Sequence, residues 1–339
     1  MALAQLQKSL KRVGIDWYML ALVGCVLLAS FAPARGSFAT GLSSVTYWAV
    51  ALLFFLYGAK LSTATITQGL TNWRLQLLCL LCTFALFPVL TIAMSPLTSS
   101  LLPAAVAVGF LYVGCLPSTV QSSIAFTSVS NGNVAGAICA ASISNLLGVV
   151  LSPVLLSLLI VTHSDVSIDP SAIWKICQQI LLPFVVGQLC RPLLSGFLNR
   201  HKLPTMIVDR GSILLIVYSA FSAGVVNGIW QVISVEGLAI IVALCAGLLA
   251  VVMGISLAAG RVTGMARPDS LSLLYVGSTK SLATGLPMAG ILFAGENISL
   301  IVLPIMVFHL IQLMVCAVIS QRVASADLAR AAAKPAPAE

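Results

Sequence analysis

The chain has 339 residues, of which 60% are hydrophobic and 8% are charged, and its formal net charge is +8. So few polar side chains cannot cover a soluble globular protein, which excludes water as the main solvent. The basic excess would suit either nucleic acid binding or membrane loops, and its distribution along the chain decides between them.

Apolar stretches long enough to cross a membrane recur from one end of the chain to the other. About 20 apolar residues cross about 30 Å of hydrocarbon. The alternating segments of about ten residues that build a membrane β-barrel are missing from the sequence. These patterns predict an all-α polytopic membrane protein with ten transmembrane helices. The predicted spans are Trp17 to Pro33, Gly41 to Lys60, Trp73 to Met94, Ala104 to Val129, Val134 to Val161, Ile173 to Arg191, Asp209 to Gly228, Gly237 to Gly260, Asp269 to Ala294 and Ile298 to Gln321.

The basic residues segregate to one side of these spans if the N-terminus is cytoplasmic. The outer side then carries only Arg35 and Lys175, and the positive-inside rule accounts for the net charge without a nucleic acid partner. We expect a multi-pass protein of the inner (plasma) membrane with both termini in the cytoplasm. The cytoplasmic side carries Lys8, Lys11, Arg12, Lys60, Arg74, Arg191, Arg200, Lys202, Arg210, Arg261, Arg267, Arg322, Arg330 and Lys334.

The first apolar stretch has a second interpretation, as a cleavable signal peptide. Lys8, Lys11 and Arg12 precede it, and Ala32-Pro33-Ala34 resembles a cleavage site. Cleavage would leave nine spans and remove the internal symmetry of the chain, so a retained span is favoured.

Two stretches of the chain resemble each other, YVGCLPSTVQSS from Tyr112 and YVGSTKSLATGLP from Tyr275, with starts 163 residues apart. Each runs through Ser- and Thr-rich sequence with a helix-breaking proline, Pro117 or Pro287. These are predicted spans 4 and 9, so the repeat unit has five helices. A unit with an odd number of helices is inverted in the membrane the second time.

The predicted organisation follows this repeat. Residues 1–16 form a cytoplasmic N-terminal segment, 17–161 the first five-helix repeat, 162–321 the second repeat and 322–339 a cytoplasmic tail. Inverted repeats with broken helices are typical of secondary transporters, because unwound backbone inside a membrane must line a polar cavity or bind something. The alternative is that proline and glycine only kink these helices, while Ser and Thr bond back to their own carbonyls.

No Asp or Glu falls in the middle of a predicted span. This argues against a carboxylate proton relay and removes the acid that intramembrane proteases need, so an enzyme is not predicted. Lys280 is the exception among charged residues, because it lies well inside span 9. It could bind an anionic group, replace a coupling cation, carry a proton, or pair with carbonyls freed by the helix break.

The candidate substrate and ion site collects polar residues from both broken spans and from span 5. Hydroxyl and amide oxygens suit Na⁺ or the polar part of a ligand. Taken singly, each serine is as typical of helix packing, and His309 is more typical of a hydrogen bond between helices than of a proton carrier. The candidate residues are Pro117, Ser118, Thr119, Gln121, Ser122, Ser123, Ser142, Ser144, Asn145, Tyr275, Ser278, Thr279, Lys280 and Ser281.

Two runs of this sequence resemble the bile acid:sodium symporter superfamily. They are CLPSTVQSSIAFTSVSNGNVAGAICAASISNLLGVVLSP, from Cys115 to Pro153, and YVGSTKSLATGLPMAGILF, from Tyr275 to Phe293. Within the superfamily they are most similar to the SBF-like branch, which includes human solute carrier family 10 member 7 and many bacterial symporters. The similarity covers essentially the whole chain.

The resemblance implies a panel domain of spans 1, 2, 6 and 7 and a core domain of spans 3 to 5 and 8 to 10. Spans 4 and 9 would cross in the core, with substrate bound between the domains and Na⁺ behind it. The family's sodium-binding wall is similar here in Ser122, Ser123, Ser142, Ser144 and Asn145, and the predicted Na⁺ ligands are Ser123, Ser142 and Asn145.

Span 9 departs from the pattern of the sodium-coupled members, which resembles E-V-G-x-Q-N-S. Aligned by its Gly and Ser, that pattern puts Tyr275 at the Glu, Thr279 at the Gln and Lys280 at the Asn. An ammonium and a Na⁺ a few ångströms apart repel each other strongly, even at an effective dielectric of about 20. We therefore predict that Lys280 replaces at least one cation, which leaves a carrier that is proton-coupled, weakly Na⁺-dependent or uncoupled.

The predicted function is secondary active transport of a small anionic organic solute, by alternating access around the broken spans. The alternative is a non-transporting membrane regulator or sensor with the same fold. No cofactor is predicted apart from Na⁺ or H⁺ as a coupling ion. The predicted partners are the lipid bilayer and the organic anion, and the oligomeric state is left open.

Overall fold

The computed structural model describes residues 17–60, 67, 71–163, 171–293 and 298–332, and the regular elements in these ranges are all helical. The predicted all-α class is therefore confirmed. The predicted N-terminal segment 1–16 and the end of the tail, 333–339, lie outside the described residues. The helices are α1 Trp17–Phe31, α2 Gly36–Lys60, α3 Trp73–Leu81, α4 Phe87–Leu101, α5 Ala104–Cys115, α6 Gln121–Val129, α7 Val134–His163, α8 Ser171–Ile176, α9 Leu182–Arg200, α10 Lys202–Val226, α11 Ile229–Val232, α12 Val235–Val262, α13 Arg267–Ser278, α14 Leu282–Leu292 and α15 Ile298–Ala332.

Seven helical stretches in the described part of the chain are long and apolar enough to cross a membrane, by length and composition alone. Leu20–Phe31 and Ala104–Cys115 are apolar as well but shorter. The count of ten spans and their inverted repeat stay predictions. The seven stretches are Gly36–Lys60, Trp73–Leu101, Val134–Leu159, Trp174–Leu198, Leu203–Val226, Val235–Val262 and Ile298–Arg330.

Two of these stretches contain a π-turn, a short widening of the helix. The first π-turn, Cys82–Leu86, joins α3 to α4, and the second, Cys177–Leu181, joins α8 to α9. Each is followed by a proline in the first turn of the next helix, Pro88 or Pro183. Because proline has no N–H group, it cannot continue the α-helical hydrogen-bond register at that point.

The first π-turn leaves one backbone carbonyl without a donor in its own helix. The Phe87 N–H bonds to the carbonyl of Cys82, five residues back. In that register the carbonyl of Thr83 would accept from residue 88, but Pro88 has no hydrogen to donate. The oxygen of Thr83 is thereby free to accept a hydrogen bond from elsewhere in the molecule.

The helices pack in two groups. In the first group, α2 and α9 form the most extensive helix pair, and α10 packs on both α1 and α2. In the second group, α4 and α15 pack on α5, α12 packs on α13 and α15, and α3 packs on α13 and α7. The assignment of these groups to a panel and a core domain stays a prediction.

Two glycines allow the backbones of α2 and α9 to touch. A Cβ atom built on Gly58 would overlap the carbonyl oxygen of Phe184, and one built on Gly187 would overlap that of Phe55. Small residues at a helix interface are the usual means of close packing in membranes, where the hydrophobic effect gives little attraction between helices.

A single carboxylate joins the starts of three helices in the second group. Asp269, in the first turn of α13, accepts hydrogen bonds from Nδ2 of Asn72 at 2.8 Å and Nδ2 of Asn133 at 2.7 Å. Asn72 caps α3 by accepting from the Leu75 N–H, and Asn133 caps α7 by accepting from the Gly136 N–H. The carboxylate therefore fixes where all three helices begin relative to one another.

Asp269→Ala should destabilise the protein, because it leaves two amide groups without their charged acceptor. We expect a loss of about 3 kcal/mol for two such hydrogen bonds. Thermal unfolding in detergent measures the loss, with Glu236→Ala as the control, since Glu236 is exposed in the first turn of α12. Equal melting temperatures for the two variants would contradict this role of Asp269.

Candidate functional site

The first helix break separates α5 from α6. Leu116 is extended, with φ −73° and ψ 151°, and Pro117 follows it. A residue before proline is pushed out of the helical region, and the proline itself lacks the N–H that would continue the helix. Pro117 is thus the breaker that the sequence predicted, and residues 116–120 are non-helical.

The second break separates α13 from α14, and its predicted breaker was wrong. Pro287 lies inside α14, whereas Thr279 is extended, with φ −107° and ψ 152°. The hydroxyls of Ser278 and Thr279 bond back to carbonyls of α13, and Ser281 caps α14 by accepting from the Thr284 N–H. Back-bonding of this kind slightly destabilises a helix, and a serine N-cap fixes where the next helix starts.

The two breaks contact each other and satisfy each other's backbone. The Ser281 N–H donates to the carbonyl of Pro117 at 2.8 Å, and the Ser118 hydroxyl donates to the carbonyl of Val276 at 2.6 Å. The hydroxyl of Thr119 donates to that of Thr279 at 2.9 Å. Buried polar groups that would be unpaired in an apolar surrounding are therefore paired across the junction.

Two side chains of helix α7 form hydrogen bonds with the backbone of the first break. The Ser118 N–H donates to the Ser144 hydroxyl at 3.0 Å, and Asn145 Nδ2 donates to the carbonyl of Ser118 at 2.7 Å. Oδ1 of Asn145 accepts from the hydroxyl of Thr284 at 2.8 Å. Asn145 thus touches both breaks, and Thr284 is a member of the site that the sequence did not single out.

Lys280 is fully buried at this junction and its ammonium is surrounded by backbone carbonyls. Nζ donates to the carbonyl oxygens of Thr83 at 2.8 Å, Gly114 at 2.9 Å and Leu116 at 2.6 Å. The ring of Phe87 lies 4.0 Å from Nζ, within the range of a cation–π contact. The ammonium has three N–H donors, and all three are used.

Gln312 of α15 fixes the backbone of Lys280. Its Oε1 accepts from the Lys280 N–H and its Nε2 donates to the Lys280 carbonyl, both at 2.8 Å. Nε2 of Gln312 also lies 2.8 Å from Nδ1 of His309, which gives His309 a hydrogen-bond partner on its own helix. The sequence signal for Gln312 was an amide side chain in the middle of a mostly apolar predicted span.

Several predicted site residues have other partners. Ser123 donates to carbonyls of Thr119 and Val120, next to its own helix, and Ser122 is half-buried. The hydroxyl of Tyr275 pairs with that of Ser130 at 2.7 Å. No described hydrogen bond joins the three predicted Na⁺ ligands Ser123, Ser142 and Asn145, and that site stays a prediction.

A cavity of about 210 Å³ lies between the two helix groups, and we call it the first cavity. Three predicted site residues, Gln121, Ser142 and Asn145, line it, whereas Lys280 does not. Lys60 is the charged residue among those that line it, and the rest of the lining is mostly apolar. The full lining is Phe54, Tyr57, Lys60, Val120, Gln121, Ile124, Ile138, Ser142, Asn145, Leu146, Val149, Ile180, Leu181 and Phe184.

A second cavity of about 470 Å³ lies further along the same groove, with Lys175 and Gln179 in its lining. The first cavity follows the C-terminal part of α2 and the second follows its N-terminal part, so the two succeed each other along the helix. Val50 lines the second cavity, and Phe54, one turn further along α2, lines the first. The groove between the groups therefore holds two cavities, one after the other.

Comparison with known proteins finds relatives over most of the chain. The profile of the SBF-like CPA transporter family matches residues 16–325. The chain is 45% identical over 309 residues to "Uncharacterized protein PA2026" of Pseudomonas aeruginosa, which covers 91% of this chain and 93% of that protein. It is 45% identical over 308 residues to "Putative symporter YfeH" of Escherichia coli K12, covering 91% and 92%. It is 29% identical over 326 residues to "Sodium/bile acid cotransporter 7" of Rattus norvegicus, covering 92% and 93%.

Proposed function

We propose that this multi-span membrane transporter is a secondary active carrier of a small organic anion. The chain belongs to the SBF-like CPA transporter family, which supports the proposal. The resemblance read from the sequence is confirmed, and with it the prediction of a transporter rather than an enzyme. A bacterial relative named as a symporter supports the inner membrane as its location. The distribution of basic residues supports cytoplasmic termini.

We propose alternating access as the mechanism, with ten spans as two inverted five-helix repeats. The two breaks that contact each other support the crossing of spans 4 and 9. The two cavities lie between the helix groups and succeed each other along α2, as expected if each opens toward one side of the membrane. A solute would pass between them where Asn145 bonds to Thr284.

The lining of the first cavity is the observation that supports an organic anion as the solute. Lys60 supplies a positive charge at its wall, and Gln121, Ser142 and Asn145 supply neutral polar groups. Helix α6 begins at this wall with no side-chain cap on its first turn, and an uncapped helix start attracts anions. The anion-binding role considered for Lys280 moves to these groups, because the ammonium of Lys280 is already saturated.

We propose that Lys280 acts as a permanent cation in place of a coupling ion. A neutral amine has two N–H donors and a lone pair, and that lone pair would face one of three carbonyl oxygens. The geometry therefore favours an ammonium throughout the cycle over a proton carrier. Transport is then independent of Na⁺ or depends on it weakly, with Ser123, Ser142 and Asn145 as the alternative site for a coupling Na⁺.

Flux measurements in proteoliposomes test this function. The purified protein should carry labelled organic anions from a panel of monocarboxylates and bile salts, with similar rates in sodium and choline buffers. A membrane regulator or sensor, the second candidate, would bind a ligand without flux. Flux that requires Na⁺ in the wild type and is indifferent to Lys280→Ala would contradict the proposed role of Lys280.

Lys60→Gln should weaken solute binding without slowing the transport step. We expect the KM for the anion to rise about tenfold at low salt with little change in the maximal rate, and the difference to shrink as salt screens the charge. Arg74→Gln is the matched control, since it removes an exposed basic side chain that lines neither cavity. Equal KM values for the two variants would exclude Lys60 from the solute site.

A further inference from the structure

We propose that the three carbonyls around Lys280 form a binding site for a primary ammonium ion, of which the lysine side chain is the built-in occupant. A free alkylammonium should therefore bind when the side chain is shortened. The inference rests on the proposed function in one respect only, the role of the Lys280 ammonium in place of a coupling ion during transport. Its test is the stability of the protein and needs no flux.

The acceptors of this site are created by the fold and not by the lysine. The Thr83 carbonyl is free because the first π-turn offers it only Pro88 as a donor. The Gly114 carbonyl would accept from the Ser118 N–H in a continuous helix, but that N–H donates to Ser144 instead. Shortening the side chain of residue 280 leaves each of these causes in place.

The third acceptor is also set by the break. Leu116 is extended, so its carbonyl points out of the helical ladder, and Pro117 keeps it there. Three oxygens and the face of Phe87 thus remain around one position when the ammonium is removed. Unpaired buried carbonyls raise the free energy of the folded protein, so a donor that pairs with them binds favourably.

The geometry selects the chemical class of the ligand. Distances of 2.6 to 2.9 Å are those of N–H donors to carbonyl oxygens, and three donors are needed. A primary alkylammonium has three N–H groups and an alkyl chain that can occupy the path of the lysine stem. A quaternary ammonium carries the same charge but no donor, so it should not bind.

Thermal unfolding of purified, full-length Lys280→Ala in detergent provides the test. The probes are n-propylammonium chloride and tetramethylammonium chloride, compared at equal ionic strength over a concentration series. We expect a saturable rise of several degrees in the melting temperature with propylammonium only, as ligand binding to the folded state requires. Adding Phe87→Leu to this variant should weaken the apparent affinity about three- to tenfold through the loss of the cation–π contact.

Lys280→Met is the matched control, because it removes the charge while its side chain still fills the stem. It should show no response to propylammonium, and neither should the wild type. Recovery of folded Lys280→Ala only when propylammonium is present during extraction would support the site. The proposal is overturned if propylammonium gives no specific rise, or if Lys280→Ala cannot be recovered with it while Lys280→Met folds in ordinary buffer. Failure of both variants in every salt would also overturn it.

Discussion

Gly58→Ala and Gly187→Ala are each expected to lower the stability of the protein severely, although each adds a single methyl group. The carbon added at Gly58 would overlap the carbonyl oxygen of Phe184, and the one added at Gly187 would overlap that of Phe55. A backbone carbonyl cannot avoid the overlap by changing rotamer, as a side chain can. The helices α2 and α9 must then separate along their contact. We expect a loss of about 3 kcal/mol for each variant, or roughly 10 °C in the melting temperature.

Two other glycines supply the control for this experiment. A Cβ on Gly41 or Gly247 meets nothing within 4 Å, so alanine adds no overlap there. Both lie inside helices, where alanine is preferred over glycine by about 1 kcal/mol. Gly41→Ala and Gly247→Ala should therefore be neutral or stabilising. A similar loss in all four variants would show that the α2–α9 approach is not what limits stability.

Uptake of the transported anion into proteoliposomes should be driven by an inside-positive membrane potential. If the compensating cation is Lys280 and never leaves, each monovalent anion crosses as an uncompensated negative charge. One charge is worth about 2.3 kcal/mol per 100 mV, so accumulation should change by up to about 50-fold over that range. Potassium gradients with valinomycin set the potential, and labelled solute reports the accumulation.

The sign of this response separates the possible coupling mechanisms. Two Na⁺ moving with one monovalent anion would make uptake faster with the inside negative, the opposite of the expected result. If one proton moved with each anion, the accumulation ratio of the solute would not depend on the membrane potential and would depend on a pH gradient instead. Empty liposomes treated in the same way account for passive leak.

The helical class, the first break and the importance of Lys280 could be predicted from the sequence, because each has a local signature. Hydropathy marks the helices, Pro117 cannot continue one, and a lysine among apolar residues requires compensation. The second break lies in the Ser- and Thr-rich stretch where it was expected, but its cause was assigned to the wrong residue, because Pro287 lies inside a helix.

Pairing of Lys280 with carbonyls freed by a helix break was one of the alternatives open from the sequence, but the particular carbonyls could not be predicted, because backbone oxygens carry no side-chain signature. Thr83, Gly114 and Leu116 could be any residues so long as their oxygens are free. Thr284 and Gln312 were missed because their roles depend on helices that meet only in the folded molecule. Pro88 was a readable signal, since a proline in the third predicted span implies a carbonyl without a donor.

Because the ammonium of Lys280 is attached to the chain, the unloaded protein does not differ in charge from the loaded one at this junction. A sodium-coupled carrier gains and loses cations at its ion site in every cycle, whereas an ammonium that is tethered to the chain stays in place. If Lys280 is the compensating cation, the energy for accumulating a monovalent anion comes from the membrane voltage and not from the gradient of an ion that binds at this junction.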